Sequence, residues 1–462
     1  MKNKKLYFAL LLFLVSGILI YLLDGALPIG TGYSARYLCS HVFLQKRDPE
    51  EIFQREIKPT NPLFNTVSYE IDYEKKIVIT KAFSLFKKKV AVYREGLGCT
   101  LMVDSTIEDL KKQAQNVKPR VYTGDIEPYL ENSKNKRDIQ FDMQSLDSVL
   151  ERYLAEPDSK SNRNTRAIVI SQNGEVIMEK YSQGISSDTL LLGWSMTKSV
   201  INALIGILVK DGKYNLEDKN LFPNWSEDQR KEITLNHLLR MNSGLEFEEV
   251  YGPFADATYM LYDSKITSDY AMNKPLKEEI GKVWYYSSGT TNLLSRLIFE
   301  ANGGTLFQNT NFLRERLLDK VKMRGAIIES DSGGVFIGSS YMYASARDWA
   351  RFGFLYLNNG VFNGERIFPD NWVAYSTTVT DNTPLGEYGA QIWLNKGNPE
   401  DPSQRKFPKL PSDLFYFGGY NKQIVAIIPS KKMVIVRLGV TTDQSWNHEN
   451  FIEDILSTIT NK

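Results

Sequence analysis

Histidine is nearly missing from this chain: His41, His237 and His448 are the only three in 462 residues. Cysteine is rarer, with Cys39 and Cys99 alone. Neither residue recurs at the spacings that hold zinc, so the sequence calls for no metal, and no cofactor is implied. Charge of one sign is not in excess either. The net charge is +1, and there is no basic stripe with interleaved aromatics, which excludes nucleic acid as an expected partner. Internal repeats and long low-complexity tracts are absent. A Ser-His-Asp site would have to recruit one of the three histidines. His237 lies inside the helical pattern Leu235-Asn236-His237-Leu238-Leu239, and His41 lies close to an apolar segment. Both read as packed or capping residues, which leaves His448, just before the last helix, to border a cleft. This scarcity favours a nucleophile activated by something other than histidine.

Hydrophobic residues make up 42% of the chain and charged residues 24%, ordinary for a globular protein long enough to bury a large core. Three of the first five residues are lysine, and Leu6 to Leu23 is uncharged and rich in leucine. A bilayer span takes about 20 apolar residues, so residues 1–24 are expected to form a membrane anchor or a signal segment. No Ala-x-Ala site precedes Asp24, which favours an uncleaved anchor with the lysines in the cytoplasm and the bulk outside. Residues 25–138 form a second region and linker. There Val67 to Tyr73 alternates as a half-buried strand does, Lys76–Phe83 and Lys89–Tyr93 read as strands, and Thr106–Asn116 reads as a short helix. Asn132–Asp138 is a polar linker. Cys39 and Cys99 both fall in this region, as one disulfide if it is extracytoplasmic or as two buried thiols if it is not.

From residue 139 to 462 the pattern changes. Met143–Leu154 is an amphipathic helix, and Arg166–Ile170 and Val176–Met178 form a hairpin around Asn173-Gly174. Helices are expected over Thr234–Met241, Asn292–Ala301, Ser345–Asn358 and Phe451–Ile459. Gln423–Ile428 and Met433–Gly439 read as buried strands. Strands flanking a helical centre predict an α+β fold: an antiparallel sheet flanked by helices, with a helical lobe beside it.

The chemistry centres on Gly193-Trp194-Ser195-Met196-Thr197-Lys198-Ser199. Residues three apart share a helix face, so Ser195 and Lys198 touch if a turn begins near Ser195. A desolvated, neutral lysine amine takes the serine proton. The same spacing recurs at Ser84/Lys87, Ser133/Lys136 and Ser403/Lys406, in polar or strand-like surroundings that read as surface. Only Ser195 opens an apolar helix, Ile201 to Val209.

These residues resemble the first motif of the serine β-lactamase and penicillin-binding superfamily. Ile233 to Leu245, Ser340 to Gly353 and Pro369-Asp370-Asn371-Trp372-Val373 are similar to its class C-like branch. Tyr286-Ser287-Ser288 stands where most relatives have Tyr-x-Asn. That substitution, with Gly244 to Tyr251, most resembles the esterase and 6-aminohexanoate-dimer hydrolase group. The resemblance implies a serine hydrolase acting on a small ester or amide. Ser195 would be the nucleophile, and Lys198 and Tyr286 its proton carriers. Backbone N–H groups of Ser195 and Tyr420 beside Gly419 would form the oxyanion hole. Ser288 and Tyr251 would line the substrate site, or serve as turn and packing residues. Glu246, Glu248 and Glu249 read as a solvated face. Phe417-Gly418-Gly419 replaces Lys-Thr-Gly, the element that holds a substrate carboxylate in β-lactamases, and this favours a neutral substrate. Peptidoglycan carboxypeptidase, β-lactamase and an inactive binding module on the same fold are the alternatives. The N-terminal region resembles the extension of membrane-anchored bacterial members, which implies a single-pass protein of the bacterial membrane with a periplasmic catalytic domain, or a secreted one if cleaved. Pocket walls are expected from residues 245–280 and 380–415.

Overall fold

The first element, α1 (Lys2–Cys39), does not stop where its apolar run ends. The computed structural model describes residues 2–120, 139–398 and 400–460; the linker expected at 132–138 and the Ser133/Lys136 pair lie outside them. Leu10–Leu44 is long and apolar enough to cross a membrane, by length and composition. Its two ends have different surroundings. Tyr7, Phe13, Ile20 and Tyr21 are exposed, whereas Ala26, Leu27, Ile29, Ala35 and Leu38 are buried. The change comes at Asp24-Gly25, where the sequence suggested a boundary, but the helix runs through it and its second half is a core element.

That second half lies across a four-stranded antiparallel sheet: β1 (Val67–Asp72), β2 (Ile77–Ala82), β3 (Phe86–Arg94) and β4 (Gly98–Leu101), in that order. Strand side chains alternate between faces. Val78 and Ala91 join the core with α1. Ile77, Val90 and Val92 turn instead to Leu110 of α2 (Ile107–Ala114), a helix started by a Thr106/Asp109 capping box. A disulfide joins Cys39, at the end of α1, to Cys99 on β4, with Cα atoms 6.0 Å apart.

The larger part of the chain is built on a six-stranded antiparallel sheet. In chain order its strands are β5 (Thr165–Gln172), β6 (Glu175–Tyr181), β7 (Trp393–Leu394), β8 (Phe415–Gly419), β9 (Gln423–Ile428) and β10 (Met433–Gly439). Their spatial order is β7-β8-β9-β10-β5-β6. Both faces are covered, which is why β9 and β10 are buried along their length and mostly apolar on both faces rather than alternating. Ile168, Ile170, Ile424, Ala426, Met433 and Ile435 pack toward α3 (Met143–Leu154) and the C-terminal helix His448–Ser457. Val169, Val425, Ile427, Val434 and Val436 pack toward the helical centre. That centre contains α4 (Thr197–Lys210), α5 (Leu235–Arg240), α6 (Ser288–Ala301) and α7 (Ala346–Leu357). The architecture is the expected α+β one. Two helices begin earlier than their apolar periodicity suggests. α6 starts at Ser288 because Ser287 caps it, accepting from the Thr290 N–H. The last helix starts at His448, capped by Asn447. A cap side chain pays no regard to hydrophobic period.

The N-terminal region is tied to the rest of the fold through buried carboxylates, Glu329 chief among them. Glu329 pairs with Arg36 of α1 (3.3 Å) and accepts from Ser40 Oγ (2.6 Å) and the Cys99 N–H (2.6 Å). The Arg36 guanidinium also lies 3.9 Å from the Tyr341 ring centroid. Both ends of the pair are buried, so removing one leaves an uncompensated charge. Arg36→Met is expected to cost about 3–5 kcal/mol, read as a lowered denaturation midpoint of the detergent-solubilised chain. A midpoint equal to wild type would mean that Glu329 does not depend on Arg36.

Candidate active site

Ser195 sits in a strained turn between a strand pair and a helix. Leu191 and Leu192 pair with Ala344 and Tyr343, and the Gly193 N–H donates to the Met342 carbonyl at 2.9 Å. Trp194 then adopts φ 49°, the left-handed region that a bulky side chain rarely occupies. A short 3-10 turn, Trp194–Met196, leads into α4. The turn is held by Thr197, whose hydroxyl donates to the Trp194 carbonyl (2.7 Å) and accepts from the Met342 N–H (3.0 Å). No side chain caps α4. Ser195 is therefore not an ordinary N-cap, and its hydroxyl accepts instead from Lys198 Nζ at 3.2 Å.

Lys198 is buried, and three oxygens surround its amine: Ser195 Oγ, Ser288 Oγ at 3.1 Å and the Ser339 carbonyl at 2.9 Å. The Ser339 loop is itself fixed by Asn292 of α6. Burial pulls the ammonium down to about 8, against the attraction of Glu249, which raises it. At neutral pH an appreciable fraction of this amine is neutral.

Ser287 and Ser288 divide the labour at the start of α6. Ser287 caps the helix. Ser288 Oγ accepts from Lys198 and donates to Glu249 Oε1 at 2.6 Å, and the Ser288 N–H donates to Glu249 Oε2 at 2.7 Å. Tyr251 donates to the same carboxylate at 2.9 Å. Glu249 thus sits at the positive end of α6 and is joined to the lysine through one hydroxyl. It does not belong to a solvated face, which corrects the sequence reading; Glu246 and Glu248 are exposed as expected. The signal for Glu249 was Tyr251, placed at the site by resemblance two residues away.

The Tyr286 ring lies 4.8 Å from Lys198 Nζ and is stacked on Trp393 (5.2 Å), with Tyr388 edge-on. Burial, then the Glu249 charge, push its hydroxyl well above the usual phenol range, while hydrogen bonding with Ser195 works the other way. The resting side chain is a phenol. On the opposite side, Gly419 ends β8 so close to the turn that a Cβ there would stand 2.3 Å from the Gly193 carbonyl. Only glycine allows this approach, which carries the Tyr420 backbone alongside the Ser195 turn. The Tyr420 ring, half exposed, stands edge-on to Trp194 (5.6 Å) and stacks on Tyr251 (6.1 Å).

None of the three histidines bonds to Ser195 or Lys198. His237 Nδ1 accepts from the Thr234 N–H, His41 stacks on Tyr37, and His448 accepts from Trp446 Nε1. Ser84, Ser403 and Lys406 are exposed, in keeping with surface.

Ser195 opens into a cavity of about 830 Å3, its mouth included. One wall is Tyr251, Gly252, Pro253 and Tyr262, within the expected stretch. The other is Ala26, Ile29, Gly30 and Tyr33 of α1, with Leu63 and Phe64 behind them. No described residue from 380–415 lines this cavity, contrary to expectation. The sequence bounded the expected span at Asp24 but gave no sign that the residues just after it wall a pocket.

Glu249→Gln is expected to shift the rising limb of the pH–kcat/KM profile to lower pH, because the carboxylate that favours the ammonium is gone. A limb that stays in place would assign Glu249 to packing alone.

The protein family described as Beta-lactamase matches residues 146–456, more than half of the chain. A 6-aminohexanoate-dimer hydrolase of Paenarthrobacter ureafaciens is 23% identical over 252 residues, covering 50% of this chain and 64% of that protein. Among solved structures, a penicillin-binding protein homologue from Caulobacter crescentus superposes with a TM-score of 0.52 at 17% identity, covering 68% of this chain and 97% of its own. EstCE1, a hydrolase with promiscuous acyltransferase activity, also gives 0.52, at 14% identity and the same two coverages. These two structures share the fold.

Proposed function

The chain belongs to the Beta-lactamase family, a family of serine hydrolases in general, and from that premise we propose that it cleaves a neutral ester or amide through an acyl-enzyme on Ser195. The observation that carries this reading is the buried Lys198 amine, brought to about 8 and held 3.2 Å from Ser195 Oγ. Neutral Lys198 accepts the hydroxyl proton as Ser195 Oγ bonds to the substrate carbonyl carbon. The N–H groups of Ser195 and Tyr420 receive the oxyanion, an interaction worth about 3 kcal/mol per donor. The proton passes from Lys198, by way of the Tyr286 hydroxyl, to the leaving alcohol or amine, and a water then releases the acid. Phe417-Gly418-Gly419 offers no cation or hydroxyl for a substrate carboxylate. This supports a neutral substrate over a penicillin or a peptide C-terminus. The apolar first half of α1, with lysines at its start, supports a single-pass anchor and a catalytic domain on the outer side of a bacterial membrane.

The test is intact-mass measurement after incubation with a fluorophosphonate and, separately, a fluorescent penicillin. The expected result is one phosphonyl adduct and no lasting penicilloyl adduct. A stable penicilloyl adduct would replace this reading with a peptidoglycan-directed one. No adduct with either reagent, on protein shown to be folded, would leave a binding module.

A further inference from the structure

We propose that the substrate is a long-chain acyl ester or amide drawn from the outer face of the membrane, its chain lying against α1 and its carbonyl at Ser195; this rests on the serine-hydrolase reading above. The cavity at Ser195 is walled by the helix that would cross the bilayer. Ala26, Ile29, Gly30 and Tyr33 follow Asp24 by two to nine residues, which at about 1.5 Å per residue places them roughly 3–14 Å beyond the end of the exposed apolar run. Asp, Glu, Lys, Arg and His are all absent from the cavity lining, so the part of a substrate seated there is uncharged.

A second observation places the membrane surface at the same level. The turn between β2 and β3 exposes Phe83 (50%), Leu85 (77%) and Phe86 (60%), a cluster that is costly in water and ordinary at a bilayer interface. Lys87, next in sequence, pins this turn to Asp24 of α1 at 2.5 Å. A third apolar group joins them: the Phe254 ring fills the space left by Gly25 and stacks on Tyr21 at 5.8 Å. The 251–254 loop that walls the cavity is thereby also docked on α1 where the helix leaves the apolar run. An acyl chain moving from bilayer to cavity exchanges one apolar medium for another. A water-soluble substrate gains nothing from this placement.

In the reaction, Ser195 Oγ bonds to the acyl carbonyl carbon and the bond to the head-group oxygen or nitrogen breaks. The serine proton goes through Lys198 and Tyr286 to that leaving group. Water then adds to the acyl-enzyme, releases the long-chain acid and restores the serine hydroxyl.

The full chain, reconstituted in phosphatidylcholine vesicles, is assayed with nitrophenyl acetate and nitrophenyl dodecanoate. The dodecanoate is expected to give a kcat/KM at least about tenfold higher, since its methylenes leave water for the bilayer and so concentrate the ester beside the cavity, which the acetate does not do. Gly30→Leu projects into the cavity from a site where a Cβ meets only Phe64, at 3.7 Å, and is expected to lower the dodecanoate-to-acetate ratio at least tenfold; Ala26→Leu is a second block. Fluorophosphonate labelling verifies that each variant is folded. A ratio near one in wild type, or one that neither variant moves, overturns the proposal. So does intact dodecanoate with a chain that the fluorophosphonate labels. Equal dodecanoate turnover in detergent at monomeric concentration and in vesicles would assign a soluble acyl ester and overturn the membrane source. Loss of labelling in folded wild type would instead overturn the hydrolase reading itself.

Discussion

Ser195→Ala is expected to lower kcat/KM by on the order of 10^4-fold or more and to abolish the fluorophosphonate adduct. The size follows from the site. Among the described residues, Ser195 Oγ is the one group that both contacts the Lys198 amine and opens into the cavity, and no histidine stands by to activate a water in its place. The substitution also spares the fold. The turn around Trp194 is held by the Thr197 hydroxyl and by the Gly193 N–H, neither of which involves the serine side chain. The melting temperature is therefore expected to stay close to wild type while activity disappears. Intact mass decides the matter: an adduct of unchanged yield on the alanine variant would mean that another residue is the nucleophile.

Much of this was legible in the sequence because each signal was local. The Asn173-Gly174 turn fixes the β5–β6 hairpin with both residues at positive φ, and β9 and β10 occupy the very stretches that their apolar runs marked. The Ser195–Lys198 contact follows from helical spacing, and its burial from the apolar residues that come after it. What was not legible depended on contacts between distant segments. Glu249 lies in an acidic run that looks like surface. Only the fold brings it onto the first turn of α6, where backbone and Ser288 donors make a carboxylate favourable. α1 presented the converse problem. The sequence marked a boundary at Asp24-Gly25, but it could not show that the helix runs on through it and that residues 26–33 become a buried core element. The switch is visible only in what covers them, namely β2, β3 and the loop through Tyr251 and Phe254.

Lys198→Met is expected to reduce acylation by about 10^3–10^4-fold, and the loss should grow with pH. In wild type the amine must be neutral to accept the serine proton. With the ammonium brought to about 8, kcat/KM rises through that value and levels above it. Methionine has similar length and no titrating group, so the variant should show a flat profile and the gap should be widest above pH 8. A second comparison separates the two proton carriers. Tyr286 is held as a phenol by burial, so it enters as a donor to the leaving group rather than as the resting base. Tyr286→Phe is accordingly expected to keep the limb near 8 while lowering the plateau, and to hurt substrates with poor leaving groups more than nitrophenyl esters. The measurement is the pH dependence of single-turnover acylation in both variants. A limb retained in Lys198→Met and lost in Tyr286→Phe would reverse the two assignments. It would make the phenol the base, with the lysine beside it serving as a fixed charge.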